Sequence, residues 1–265
     1  MERLEQIEKL NRLLLAEMPE YRQQAKRFLH TPAEQRRLLR SLMNLRPPRP
    51  LAPAFLCLQD ELLSAEREKK GVIDGELLPA VSKDSRLVLW QGDITRLKMD
   101  AIVNAANSTL LGCFCPCHGC IDNAIHSAAG LQLREECRQL MEVQGCPEPV
   151  GRAKLTRGYN LPARYVLHTV GPIIRSGVTE RHRKQLASCY RSCLELAAEH
   201  GLKSVAFCCI STGEFHFPNR EAAEIAVNTV VKFLEGETSF KKVVFNVFQD
   251  ADHIIYHDLL TALHS

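Results

Sequence analysis

The 265-residue chain is 45% hydrophobic and 25% charged, proportions that exclude disordered and fibrous classes. Its 34 Lys+Arg against 31 Asp+Glu leave a net charge of +3, too weak a balance for a nucleic-acid polymer as the main partner. No stretch approaches the roughly 20 apolar residues that span a bilayer, so a membrane partner is not expected either.

The opening MERLEQIEKL mixes charges from its first residues and lacks the apolar block of a signal peptide, so a cytoplasmic location is expected. Leu4, Ile7, Leu10, Leu14 and Met18 recur at helical spacing. Thr31-Pro32-Ala33-Glu34 reads as a capping box with proline at the first helical position, opening a helix through Leu38, Leu39, Leu42 and Met43. Arg46-Pro47-Pro48-Arg49-Pro50 ends it, and Phe55, Leu58, Leu62 and Leu63 mark another helix that stops near Gly71. Residues 1–50 hold 11 Lys+Arg and 6 Asp+Glu, so this region is basic. It reads either as a helical extension with a solvated basic face, packed on the main domain, or as a partner-binding module. The expected division is a helical N-terminal extension over 1–75 and a main domain over 76–265.

From residue 84 the pattern changes. Short β-type runs occur at Arg86–Trp90, Ala101–Asn104, Ala153–Arg157, Arg164–Val170, Ser204–Ile210 and Lys242–Phe248. Helical patterns at Ile121–Val143, Thr179–His200 and Arg220–Leu234 lie among them, with Gly201 as a C-terminal stop. Strands alternating with helices predict an α/β layered domain around a largely buried sheet.

Ligand crevices of such sheets lie at the carboxyl ends of strands. Three loops qualify here. In Gln91-Gly92-Asp93-Ile94, Asp93 is either a turn cap or an acceptor for an exocyclic amine. In Asn104-Ala105-Ala106-Asn107, the two amides are either turn formers or brackets for sugar hydroxyls. In Ser211-Thr212-Gly213-Glu214-Phe215, Gly213 is expected to let backbone amides face one point, ahead of a helix capped by Asn219. That loop suits phosphate but holds no lysine, so it is not a P-loop.

Eleven cysteines, an odd count with the adjacent pair Cys208-Cys209, fit a reducing compartment better than a disulfide framework. Four of them crowd one short stretch. Cys113-x4-His118-x-Cys120 places two thiols and an imidazole within eight residues, a spacing that suits one Zn²⁺ per chain. Three ligands leave an open coordination position, whereas recruitment of Cys115 or Cys117 would close the shell and make the site structural. Asp122 and His126 come next, four apart on one helix face.

These stretches together resemble the macrodomain family, the ADP-ribose-binding α/β/α modules. The resemblance rests on Gln91–Thr95, Asp100–Asn107, Ile121-Asp122-Asn123-Ala124-Ile125-His126-Ser127-Ala128-Ala129-Gly130, Leu161–Pro172 and Ser211-Thr212-Gly213, in matching order. It implies a three-layer fold with a mixed central sheet and ADP-ribose at its crest. Asp93 would take the adenine amine and Ile94 a backbone contact. Ser211, Thr212, Gly213, Glu214 and Phe215 would cradle the pyrophosphate. Asn107 would hold the distal ribose, with Asn104 shaping the loop, and Phe248 is a weaker candidate for the adenine face.

Asp122 falls where hydrolases of the MacroD type place a catalytic carboxylate. Their glycine run is replaced here by Gly112–Cys120, which resembles the zinc-dependent microbial subclass with a helical N-terminal extension; its ligands match Cys113, His118 and Cys120. That subclass is associated with class M sirtuins, which modify a lipoyl-carrier protein resembling the glycine-cleavage H protein. The activity implied is zinc-dependent removal of mono-ADP-ribose from protein side chains, with Asp122 and Asn107 as catalytic residues. The alternatives are an ADP-ribose reader with structural zinc and an O-acetyl-ADP-ribose deacetylase.

Overall fold

The computed structural model describes residues 2–236 and 239–263. The chain begins with helices α1 (Arg3–Glu17), α2 (Arg22–Ala25), α3 (Pro32–Leu45) and α4 (Pro53–Lys70). Thr31 caps α3 through its hydroxyl, which accepts the Glu34 amide, and Gly71 ends α4 in the positive-φ region (84°). The apolar positions of α1, Ile7, Leu10 and Leu14, pack on Leu38, Leu39 and Leu42 of α3 and on Phe55, Leu62 and Leu63 of α4. Burial of each such leucine contributes about 2 kcal/mol, which is what docks three short helices that would be marginal alone. Leu131, far along the chain, belongs to the same cluster and ties the helices to the α/β layers. The basic excess is in part turned inward: Arg36 pairs with Glu66 and Arg46 with Glu17, both at 2.7 Å, and the Arg46 side chain is only 3% exposed.

A two-residue strand β1 (Ile73–Asp74) pairs in parallel with β3 (Leu97–Lys98). The main sheet contains β2 (Leu87–Gln91), β4 (Ala101–Ala105), β5 (Ala153–Arg157), β6 (Tyr165–Thr169), β7 (Ser204–Phe207) and β8 (Lys242–Val247). Their spatial order is β2-β8-β7-β4-β6-β5, parallel throughout except for the antiparallel β5 edge, so the sheet is mixed. Helices α5 (Ile121–Ala129), α6 (Leu131–Gln144), α7 (Glu180–Glu199), α8 (Asn219–Leu234) and α9 (Asp250–Ala262) flank it and complete the three-layer α/β/α arrangement. β4, β7 and β8 are buried along almost their whole length, as covered parallel strands should be.

Several expectations need correction. The pattern over Ile121–Val143 is two helices, because Gly130 takes φ 99° between them. A Cβ there would sit 2.6 Å from Gln132 Oε1 and 2.7 Å from Gln59 Nε2, so the break is needed for close packing as well as for the turn. The run Ser204–Ile210 stops being a strand at Phe207, since β7 pairs with β4 only at Ala101 and Ile102. Asn219 is not a cap: Pro218 precedes α8 without a side-chain bond, and the Asn219 amide donates to Asp252 Oδ1 of α9 at 2.6 Å. Helix α9 itself was not expected.

Candidate active site

Because β2, β4, β7 and β8 run in parallel, the loops after them emerge at one end of the sheet. The three predicted loops therefore share that end. Asp93 comes after β2 and does cap a turn: its Oδ1 accepts the Thr95 amide (3.0 Å) and hydroxyl (2.7 Å). Its other oxygen pairs with Lys70 at the end of α4. Burial works to raise the Asp93 pKa, but the bonds from Lys70 and Thr95 outweigh it and hold the carboxyl below its ordinary value. Ile94 beside it is buried.

β4 delivers the centre of the site. Asn104 is fully buried and donates to Asp122 Oδ1 (2.8 Å), with His168 Nδ1 3.2 Å from the same amide. Asn107 donates to Asp122 Oδ2 (3.3 Å) and to the Gly112 carbonyl (3.0 Å), while its own oxygen accepts the Thr109 amide and hydroxyl. Asn107 is thus both the turn former and a neighbour of the carboxylate. The two asparagines hold the two oxygens of Asp122, which α5 presents in its first turn. Burial pushes the Asp122 carboxyl up to about 6, against the Asn104 bond and the charge of Arg134. His126, one turn on, places Nε2 3.5 Å from Asp122 Oδ1, and neither ring nitrogen has a hydrogen-bond partner among the described residues.

The imidazoles give a stability prediction. Burial lowers His168 to about 3 and drives His126 well below its ordinary range, His168 and Arg134 adding to the effect on His126. Both rings are neutral in the fold and gain protons on unfolding. Their contribution is fully present above about pH 6.5 and is lost as pH falls toward 3. Between pH 7 and 5 the protein should lose about 2 kcal/mol from His168 alone. Urea midpoints of wild type and His168→Gln at the two pH values separate this share from the opposing one of Asp122, whose raised carboxyl takes up a proton in the fold over the same range; an equal pH shift in both proteins would contradict it.

The cysteine loop, between β4 and α5, brings together three of its five sulfur and imidazole groups. The ligating atoms of Cys113, His118 and Cys120 all lie within 4.8 Å of one another. His118 Nδ1 is 3.6 Å from Cys113 Sγ, and Nε2 faces Glu214 Oε1 at 3.5 Å. A ligating histidine characteristically offers its second nitrogen to such a carboxylate, so the residues fit a zinc ion. Cys120 Sγ also accepts the Asn123 amide and caps α5; burial and the neighbouring Cys113 push its thiol up to about 12. Cys115 is exposed, and the Cys117 thiol turns to α3, 3.3 Å from Ser41 Oγ. All eleven cysteines are free thiols.

The loop after β7 is built differently from expectation. Gly213 has ordinary φ and open space around a would-be Cβ, whereas the left-handed residues are Ser211 (φ 68°) and His216 (φ 56°). Ser211 is buried, its hydroxyl without a partner among the described residues, and a Cβ on Gly171 would meet that hydroxyl at 2.0 Å and displace it. The amides of Gly213, Glu214 and Phe215 meet no acceptor among the described residues, while Thr212 folds its hydroxyl onto the Cys209 carbonyl. Phe248 comes after β8 and is 75% exposed. A carboxylate between two amides, a thiol–imidazole triad and a loop of free amides thus meet at one end of the sheet. Lys70 and Arg134 escaped sequence reasoning, because their partners lie 23 or more residues away.

The polypeptide from 103 to 226 matches the macro domain family. A protein-ADP-ribose hydrolase of Treponema medium is 52% identical over 230 residues, 86% of this chain and 88% of that protein. A protein-ADP-ribose hydrolase of Staphylococcus aureus (strain MSSA476) is 52% identical over 222 residues, 83% of each chain. Among solved structures, the Trypanosoma brucei macrodomain in complex with ADP-ribose superimposes with a TM-score of 0.65 at 34% identity, covering 83% of this chain and 94% of that one. The chain belongs to the macro domain family.

Proposed function

We propose that this protein is a zinc-dependent hydrolase that removes mono-ADP-ribose from modified protein side chains. One observation carries the reading: the Asp122 carboxylate is held at both oxygens by Asn104 and Asn107, in the helix that opens directly after the Cys113, His118, Cys120 cluster. The relatives named as protein-ADP-ribose hydrolases, similar over most of their length, support the same activity.

In this reading Asp93 and Ile94 take the adenine, the free amides from Gly213 to Phe215 take the pyrophosphate, and Ser211 and Thr212 shape their loop. Asn107 orients the distal ribose. Zinc held by Cys113, His118 and Cys120 would supply Lewis acidity beside that ribose. Asp122 orients the attacking water and accepts its proton. One water is consumed, the ester bond to a carboxylate side chain breaks, and free ADP-ribose leaves the restored protein. Such an ester is labile enough for positioning to supply much of the rate. By resemblance to the sirtuin-associated subclass, the modified target is a lipoyl-carrier protein akin to the glycine-cleavage H protein, met in the cytoplasm.

Release of labelled ADP-ribose from modified protein, with and without a zinc chelator, tests this. Turnover abolished by chelator and restored by zinc is expected. Binding of ADP-ribose without turnover would identify a reader, and turnover of O-acetyl-ADP-ribose alone a metabolite hydrolase. Asp93→Ala should weaken ADP-ribose binding by about 1–3 kcal/mol, the loss expected for a bond to a charged, partly buried group. Calorimetry reporting unchanged affinity would remove Asp93 from the adenine site.

A further inference from the structure

The cysteine loop forms no strand and carries only turn bonds of its own, such as the His118 amide to the Cys115 carbonyl (3.2 Å), yet its conformation is tightly held from outside. Arg40 of α3 donates through Nη2 to the carbonyl of His118 (3.1 Å) and to Asn123 Oδ1 (2.8 Å), with Nε on the same oxygen at 3.2 Å. Asn123 passes this on: its side-chain amide donates to the Cys115 carbonyl (3.0 Å) and its backbone amide to Cys120 Sγ. Four residues along α3, buried Asn44 accepts the Cys117 amide at 2.9 Å and donates to Ser127 of α5. Cys117 stands in the left-handed region (φ 53°), a conformation a non-glycine residue keeps only when its surroundings demand it. Arg134 of α6 closes the bracket, donating to the carbonyls of Met43, Asn44 and Arg46 at the end of α3 and to Leu111 at the start of the loop, with its guanidinium 4.5 Å over the Phe114 ring.

We infer that α3 of the N-terminal region is a constituent of the metal site, with Arg40 and Asn44 as positioning residues that hold Cys113, His118 and Cys120 in liganding order before the ion arrives. The inference rests on the reading of that loop as a zinc site. Its physical basis is entropic. Ordering a free loop costs about 1–2 kcal/mol per residue, and a metal that must order its own ligands binds more weakly by that amount. Bonds from a docked helix offset the cost in advance. Arg40 suits the task because a planar fork can serve a carbonyl and an amide oxygen at once, which an ammonium cannot match in geometry.

The test compares zinc-loaded full-length protein with Arg40→Met, Arg40→Lys, Asn44→Ala and Arg36→Met. Arg36 lies on the same helix but pairs with Glu66, away from the loop. The readouts are the rate of zinc transfer to a chromogenic chelator and the affinity of the metal-free protein for ADP-ribose. Arg40→Met and Asn44→Ala should speed zinc transfer about 10–100-fold, the range seen when outer partners of metal ligands are removed. Arg40→Lys should fall between Arg40→Met and wild type, and Arg36→Met should match wild type. ADP-ribose affinity of metal-free Asn44→Ala should stay within about twofold, since that side chain is engaged with Cys117 and Ser127, away from the loops assigned to that ligand. Zinc transfer unchanged in Arg40→Met, or accelerated equally in Arg36→Met, would overturn the inference and leave the metal reading standing. Wild-type protein that takes up no zinc would overturn the metal reading, and this inference with it.

Discussion

Asp122→Asn is expected to slow single-turnover release of ADP-ribose by about 10²–10⁴-fold, the usual contribution of a positioned general base. The substitution keeps the size of the side chain but replaces one acceptor oxygen by a donor group. Asn104 and Asn107 both present amide nitrogens to the carboxylate. The new amide therefore faces a donor on one side, and it cannot accept a proton from water at all. Since Asp122 is buried, the substitution also removes a charge from a site that disfavours it, which offsets the cost of that donor facing a donor. Affinity for ADP-ribose should change little, because the contacts assigned to adenine and pyrophosphate lie on other loops. Rate and affinity measured on the same preparation separate the two effects. A variant that retains wild-type turnover would show that Asp122 shapes the loop rather than assisting the chemistry.

The second large effect is expected at Cys120. Cys120→Ser should weaken zinc binding by roughly 100-fold or more, because four-ligand structural sites gain about 10–16 kcal/mol in all and each ligand carries a share of it. Turnover should disappear with the metal. The variant is a sharp test because the residue has two jobs. Cys120 also caps α5 by accepting the Asn123 amide, and serine is a better cap than cysteine. Helix α5 is therefore kept while the ligand is lost, so metal loss cannot be ascribed to unfolding. Cys115→Ser and Cys117→Ser should retain zinc and most of the turnover: one thiol is exposed and the other faces Ser41. Zinc content and single-turnover rate on all three variants decide the matter. Zinc loss from Cys115→Ser or Cys117→Ser would mean a closed four-ligand shell and a structural role for the ion.

What the sequence determined by itself is what depends on near neighbours. Caps and stops act within a few residues, so Thr31 and Gly71 bound their helices, although only the Thr31 half of the expected capping box forms and the Glu34 carboxylate pairs with Arg37 instead. Hydrophobic period is also local, and it located every long helix but α9 as well as the six strands of the main sheet. The thiol–imidazole spacing was legible for the same reason: Cys113, His118 and Cys120 lie within eight residues, so any compact loop brings them near one another. Tertiary structure decided the rest. Gly130 breaks the helix through its positive φ, and the side chains of Gln132, Gln59 and Asn160 fill the position where a Cβ would stand. Gly213 proved ordinary, while Ser211 takes the left-handed conformation in that loop, with its hydroxyl in the space a Cβ on Gly171 would need. Asp122 became the centre of the site only when β4 carried Asn104 to it. The bonds from Arg40 to the cysteine loop and to α5 span 78 and 83 residues, and those from Arg134 to α3 up to 91. Contacts over such separations leave no periodic or compositional trace, since each is made by two residues whose own neighbourhoods look ordinary. Only the packing of the helical region against α5 and α6 brings them together, and that packing gives the Cys117 thiol its partner, Ser41 of α3.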